Sequence, residues 1–294
     1  MRHHIVHQFT YRYSAPVQLG THLLRLRPRE EGGQRLHHFH VEVTPAPVGR
    51  SELVDLHGNG VLQLWFDDRA TETLSVRTEA TVGTDRPNPF NFLLDPWATR
   101  LPIDYPSSQR RALEPYLAGD RPDPIATQLA WELGDRADYQ PLAFLGLLNQ
   151  HIYRHCTYEI RETGDARPAG FTWQQRRGSC RDFAVLFMEV CRAIGLGARF
   201  VSGYEAGDPE HPHKYLHAWV EVYLPGGGWR GYDPTQGLAV GDGYIPVAAA
   251  PEASQTAPFP GIFQGRNITA DLTSSLEITP VPEPLPDGSP DPNP

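Results

Sequence analysis

The sequence predicts an α+β protein with an N-terminal antiparallel β-sandwich and a core in which one helix packs on an antiparallel sheet. Three observations predict this class. Short β-rich runs fill residues 1–100, an amphipathic helix follows Cys180, and a hairpin pattern covers 215–233. The chain has 294 residues, enough for about two domains. We predict a β-sandwich at 1–100, a proline-rich connector at 101–123, the core at 124–278 and a proline-rich flexible tail at 279–294.

The composition predicts a packed protein that binds neither nucleic acid nor membranes. The formal charge is −9, and no long Lys/Arg block offsets it. No stretch reaches the roughly 20 apolar residues of a membrane helix, and the first residues lack the apolar core of a secretion signal. Three cysteines in so long a chain form no disulfide framework, so we expect a reducing, cytoplasmic location.

The first hundred residues contain five predicted strands separated by Gly, Pro, Asn and Asp clusters. These are 4–13, 23–26, 38–43, 61–66 and 73–82. The prolines that follow predict an extended connector with a short helix around 110–117. Apolar residues at helical spacing then predict helices at 125–133 and 142–155, and 159–176 is expected to be a loop.

The helix from 180 to 194 carries one apolar stripe at three- and four-residue steps. The stripe consists of Phe183, Ala184, Phe187, Cys191 and Ile194. Gly195 and Gly197 end the helix, and 198–204 reads as a strand.

A predicted hairpin determines which side chains meet. Residues 215–224 alternate, a Pro-Gly-Gly-Gly turn follows, and 229–233 returns. If Leu224 pairs with Gly228, His217 lies diagonally from Asp233 on one face, roughly 7–8 Å away at the backbone. A register slip of one residue would put them on opposite faces. A last strand is expected within 265–281.

Cys180, His217 and Asp233 are the candidate catalytic residues. A helix N-terminus favours a thiolate, and a neighbouring histidine can hold the thiol proton. An aspartate on the other imidazole nitrogen fixes the tautomer. The backbone N–H of Cys180 is a natural oxyanion donor, whereas spacing does not identify a second donor.

Several segments resemble the bacterial transglutaminase-like superfamily, which contains candidate cysteine proteases. They are GSCRDFA at 178–184, CRAIGL at 191–196, RFVSGY at 199–204, HAWVEV at 217–222 and GWRGYDPT at 228–235. The segments HQFTYRY at 7–13 and LRLRP at 24–28 resemble the β domain that precedes this core in many members. The resemblance covers most of residues 1–240.

The resemblance implies a papain-like Cys-His-Asp core in which Cys180 is the nucleophile, His217 the base and Asp233 the orienting acid. It implies attack on a peptide, protein or small amide substrate, with a thioester that water hydrolyses or an amine accepts, and no cofactor. The sequence departs from the family pattern in two places, and both concern the region expected to contact the substrate. Residues 243–252 lack an Arg-Asp pair that relatives carry, and Arg181 stands where many have a small residue or Gln.

Other interpretations stay open on the sequence alone. The fold could serve a non-catalytic peptide-binding protein, or His211, His213 and His217 could hold zinc, although their spacing matches no usual ligand pattern. Cys156 and Cys191 read as structural thiols, and Asp182 as a helix-terminus acid. Trp219 is a candidate for the cleft wall. Tyr158 and Trp173 are candidates for the oxyanion site by family position. Substrate, oligomeric state and the choice between hydrolysis and transfer are undetermined.

Overall fold

The computed structural model describes residues 1–117, 122–161, 164–206 and 215–282. The strands are β1 Arg2–Leu24, β2 Gln34–Thr44, β3 Gly49–Val54, β4 Gly60–Trp65, β5 Ala70–Thr84, β6 Thr157–Tyr158, β7 Arg177–Gly178, β8 Ala198–Glu205, β9 His217–Leu224, β10 Gly228–Asp233, β11 Leu238–Ala239, β12 Tyr244–Ala250, β13 Gly261–Gln264 and β14 Ala270–Pro280. The α-helices are α1 Ser107–Leu113, α2 Pro124–Arg136, α3 Pro141–His155, α4 Ala169–Gln175 and α5 Cys180–Ala193. The predicted α+β class is confirmed.

The N-terminal region is a seven-stranded antiparallel sheet built around β1. Its order is β2-β5-β1-β4-β3, and β13 and β14 also pair with β1. The first half of β1 pairs with β5 and β14, and its second half pairs with the start of β5, with β13 and with β4. This change of partners lets one long strand serve both halves of a curled sheet. Alternate β1 side chains, including Ile5, Phe9 and Val17, are buried in its core.

The end of the described chain returns to this first sheet. All eleven residues of β14 pair with β1, from His3 opposite Pro280 to Tyr13 opposite Ala270. The strand expected within 265–281 therefore exists, but it lies in the first sheet, whereas we placed residues up to 278 with the core. The sequence shows a strand and not its partner, because pairing between residues some 270 apart leaves no local pattern. Residues 283–294 of the predicted tail lie outside the described part.

The connector contributes to the core of the second unit. Leu101, Ile103, Tyr105 and Leu113 are buried against the helices and the second sheet. The Tyr105 hydroxyl donates to the backbone carbonyl of Tyr223 at 3.1 Å. The described part of the connector therefore packs on the second unit. It contains the short helix α1 and a 3-10 helix at Glu114–Tyr116, close to the predicted helix at 110–117.

The second sheet has the order β11-β10-β9-β8-β12, and α5 packs on it. Ala218, Val220, Val222 and Leu224 turn toward α5 and are buried with it. The hairpin pairs Gly228 with Leu224 and continues in register to Tyr232 opposite Val220. The predicted register is confirmed, so His217 points to the face that Asp233 also uses.

Several elements were missed, and three of them have a clear physical reason. Strand β3 is an edge strand with five exposed residues out of six and no apolar alternation. Helix α4 is only seven residues long and lies in the predicted loop 159–176. Strand β12 ends in three alanines, which have weak β propensity. Within the described residues, no helix is long and apolar enough to cross a bilayer.

Candidate active site

The first turn of α5 holds Cys180 at the edge of a groove. Ser179 precedes the helix, and its backbone N–H and hydroxyl both donate to Asp182 Oδ2, at 2.8 and 3.0 Å. These two bonds join the residue before the helix to its third residue and fix the helix start. Phe183 and Phe187, on the predicted apolar stripe, anchor the helix in the core. Cys180 is 9% exposed, so its sulfur reaches the groove from an otherwise buried position.

Asp182 also ties the preceding loop to this helix. Its side chain is fully buried, and Oδ1 accepts from Arg161 Nη2 at 2.6 Å and from the Arg167 backbone N–H at 2.7 Å. The predicted helix-terminus role is therefore only half of its function. The same carboxylate fixes one wall of the groove beside Cys180.

We expect the substitution Asp182→Asn to lower the free energy of unfolding by about 2–3 kcal/mol, because it leaves Arg161 facing a neutral amide and removes one acceptor. Chemical denaturation measures the effect as a lower midpoint. Asp67→Asn, which removes an exposed ion pair with Arg69, is the matched control and should leave the midpoint nearly unchanged. Equal midpoints for the two variants would show that the contacts of Asp182 with Arg161 and Arg167 do not stabilise the fold.

His217 and Asp233 form a buried pair on neighbouring strands. Nε2 of His217 lies 2.8 Å from Asp233 Oδ2. Asp233 is fully buried and also accepts from the Thr235 backbone N–H at 2.8 Å and from the Tyr244 hydroxyl at 2.9 Å. A carboxylate with three donors is held in one orientation, and it holds the imidazole in turn.

Cys180 is a further partner of His217. Hydrogen bonding with the thiol is one of the interactions that raise the pKa of the imidazole, and because Nε2 faces Asp233, Nδ1 is the atom left for the thiol. Burial favours the neutral imidazole, but the charge and hydrogen bond of Asp233, with those of Cys180, raise the pKa of His217 well above its usual range. Burial opposes ionisation of Asp233 too, yet His217 and the other donors lower its pKa. The environment therefore favours a charged imidazolium next to the thiol.

Glu205 brings a second carboxylate to this cluster. Its Oε2 lies 3.8 Å from His217 Nε2. Donor atoms of Glu205, His217 and Asp233 all lie within 4.8 Å of one another, close enough for a metal ion. However, the imidazole nitrogen in this cluster is the one that faces Asp233 at 2.8 Å, and a nitrogen that carries a proton there cannot bind a metal. The donor set fits a hydrogen-bonded base better than a metal centre.

Tyr244 and Glu205 are the site residues that the sequence did not reveal. Tyr244 lies in β12, the strand that we did not predict, within the stretch that departs from the family pattern. Because the Tyr244 hydroxyl contacts Asp233 across the sheet, only the strand order β9-β8-β12 could have shown it.

The other candidates are placed as follows. Tyr158 lines the groove with Cys180, and burial raises its pKa to about 12. Trp173, the other candidate for the oxyanion site, packs against His151 at a ring distance of 5.1 Å and does not line the groove. Trp219, the candidate for the cleft wall, is fully buried next to Tyr244 and does not line the groove either. Cys191 is a core thiol, as predicted. The alternative zinc ligands His211 and His213 lie outside the described residues.

The groove at Cys180 lies between the two sheets. Its volume is about 960 Å³. The Cys180 helix, the segment at Tyr215 and His217, and the loop at Arg161 form one side, and the first sheet forms the other.

The fold and the site define an α+β protein in which a helix-borne cysteine faces a histidine and an aspartate on adjacent strands. Comparison with known proteins places this arrangement in a family. Residues 3–83 match the bacterial transglutaminase-like N-terminal region, and residues 132–234 match the transglutaminase-like superfamily. The chain belongs to the transglutaminase-like superfamily, as the sequence motifs indicated.

The chain is also similar to individual proteins. Protein ML0607 of Mycobacterium leprae is 30% identical over 290 residues, which cover 95% of this chain and 98% of that protein. A protein-glutamine gamma-glutamyltransferase of Pseudomonas aeruginosa is 35% identical over 127 residues, covering 40% of this chain and 19% of the enzyme. The crystal structure of a candidate cysteine protease from Cytophaga hutchinsonii has the same fold, with a TM-score of 0.70 and 22% identity over 97% of this chain and 92% of that one.

Proposed function

We propose that the protein cleaves amide bonds through a thioester on Cys180, with His217 as the base and Asp233 as its orienting acid. One observation carries the proposal: a single imidazole contacts both the thiol and a fully buried carboxylate. This is the geometry that thiol nucleophiles require, and the family assignment supports a thiol-dependent hydrolase or acyltransferase in general.

In the proposed mechanism, His217 already holds the thiol proton as an imidazolium, and the thiolate sulfur attacks the amide carbonyl carbon. The carbonyl oxygen becomes an oxyanion, for which the backbone N–H of Cys180 at the helix start is a donor. The C–N bond then breaks, the leaving amine takes the proton from His217, and a thioester remains. Water or a second amine attacks the thioester, and the thiol is regenerated.

Acyl transfer to an amine is a natural outcome of this chemistry. The Pseudomonas aeruginosa relative is a protein-glutamine gamma-glutamyltransferase, and its matched segment is 35% identical. A glutamine carboxamide is therefore the first acyl donor to test, with release of ammonia in both hydrolysis and transfer. A product that contains an added primary amine would identify transfer.

Selective alkylation of Cys180 by iodoacetamide at pH 7 is the test of the activated thiol. Burial raises the pKa of Cys156 to about 11, so about one Cys156 in 10⁴ is a thiolate at that pH. Cys191 is fully buried. We expect Cys180 to react at least about 100-fold faster than Cys156, read by peptide mass spectrometry.

The control for this experiment is His217→Gln, which removes the proton acceptor and keeps the side chain polar. It should slow labelling of Cys180 without changing that of Cys156. If Cys180 in the natural protein reacts no faster than Cys156, the thiol is not activated, and a non-catalytic peptide-binding role replaces the proposal.

A further inference from the structure

The far wall of the groove is apolar and consists of residues of the N-terminal sheet together with Phe259, which lies just before β13. Phe9 and Tyr11 of β1, Leu272 of β14, and Phe259 line it. The Phe259 ring lies 5.3 Å from Phe9 and stacks on Tyr11 at 6.3 Å, centre to centre. We call these four residues the aromatic wall.

The aromatic wall is continuous with the reacting thiol. Leu216 packs against the apolar core of the first sheet, and the next residue, His217, contacts Cys180. Consecutive Cα atoms are about 3.8 Å apart, so one residue of the chain separates the two environments. Cys180 and the aromatic wall line the same groove, so a substrate bound at Cys180 can extend onto the wall.

The wall carries no charge at neutral pH. His7, the one titratable imidazole that β1 adds to the groove, is buried, and burial lowers its pKa to about 4. Its two nitrogens are engaged by the Tyr204 hydroxyl at 3.2 Å and Ser274 Oγ at 3.1 Å. An uncharged aromatic surface favours apolar side chains over charged ones.

The size of the groove favours a ligand that is longer than a small amide. Its volume of about 960 Å³ is at the upper end of the roughly 300–1,000 Å³ range of small-molecule pockets. Two structural units contribute to it, and a small free amide would contact only the part near Cys180. A longer ligand can contact both units at once.

We propose that the N-terminal sheet is part of the substrate site and binds an apolar, preferably aromatic, side chain of an extended polypeptide whose reacting amide lies at Cys180. The inference rests on the proposed function for the position of the reacting amide. It assigns the first unit a role in choosing the substrate as well as in supporting the fold.

The test measures binding without chemistry. Fluorescein-labelled decapeptides with one central glutamine and either Phe or Ser at flanking positions are titrated onto the Cys180→Ala protein, followed by fluorescence anisotropy. We expect at least one Phe peptide to bind about tenfold more tightly than its Ser counterpart. The preference should disappear when Tyr11→Ser and Leu272→Ser are added, and persist with Tyr11→Phe, which keeps the ring.

The matched control is Leu53→Ser, which removes a half-exposed apolar residue of the same sheet outside the groove. It should leave the tenfold preference intact. Absence of any preference in the Cys180→Ala protein, or a preference that survives the double substitution, overturns the inference. Turnover of the same peptides by the natural protein reports separately on the proposed function, because binding to Cys180→Ala requires no thiol.

Discussion

Substitution of Cys180 by alanine abolishes all turnover of amide substrates if the proposed mechanism is correct. The sulfur is the atom that forms the thioester, and neither of the other described cysteines can take its place. Cys191 is fully buried on the same helix about three turns away, and burial holds the pKa of Cys156 near 11. We expect a loss of at least about 10⁴-fold in kcat, to the background of the assay, with glutamine peptides.

Loss of turnover in this variant would report on the missing sulfur and not on unfolding, because alanine is small and has a high helix propensity. The variant should keep the thermal stability of the natural protein to within a few degrees. Cys156→Ala is the matched control, since it removes a partly buried thiol outside the groove and should leave kcat unchanged. Residual turnover in the Cys180→Ala protein above that of buffer would rule out the thioester route.

The hairpin shows why much of the site could be predicted from sequence. A glycine-rich turn of defined length sets the register, and side chains on one strand face alternate with a period of two. His217 and Asp233 therefore had to share a face if Leu224 paired with Gly228, and the structure has that pairing. The position of Cys180 followed equally from a helix start that the sequence marks with Ser179 and Asp182.

The groove could not be predicted in the same way, because it forms between distant segments. The aromatic wall combines β1 with Phe259 and β14, which are some 250 residues apart in the chain. Tyr244 reaches Asp233 only because β12 joins the edge of β8. Local patterns determine which elements form, whereas such contacts depend on which surfaces the elements bury together.

Substitution of Asp233 is expected to have the second largest effect on kcat. The substitution Asp233→Asn conserves size but replaces the charge that His217 faces at 2.8 Å with a neutral amide. The imidazole then loses its partner and its fixed tautomer. We expect kcat to fall about 10³- to 10⁴-fold, equivalent to about 4–5.5 kcal/mol. Glu205→Gln is the matched control, because that carboxylate lies 3.8 Å from the same nitrogen, and we expect less than about tenfold.

The pH dependence of stability gives an independent measurement of the same pair. The lowered pKa of Asp233 stabilises the folded protein above its ordinary value of 3.8, and this contribution is lost as pH falls. The raised pKa of His217 stabilises it fully below 6.5, and this contribution is lost as pH rises through the folded-state value. The stability difference between the natural protein and Asp233→Asn should therefore be largest between about pH 3.8 and 6.5 and shrink on both sides. A difference that stays constant from well below pH 3.8 to well above pH 6.5 would show that the two groups are not an ion pair.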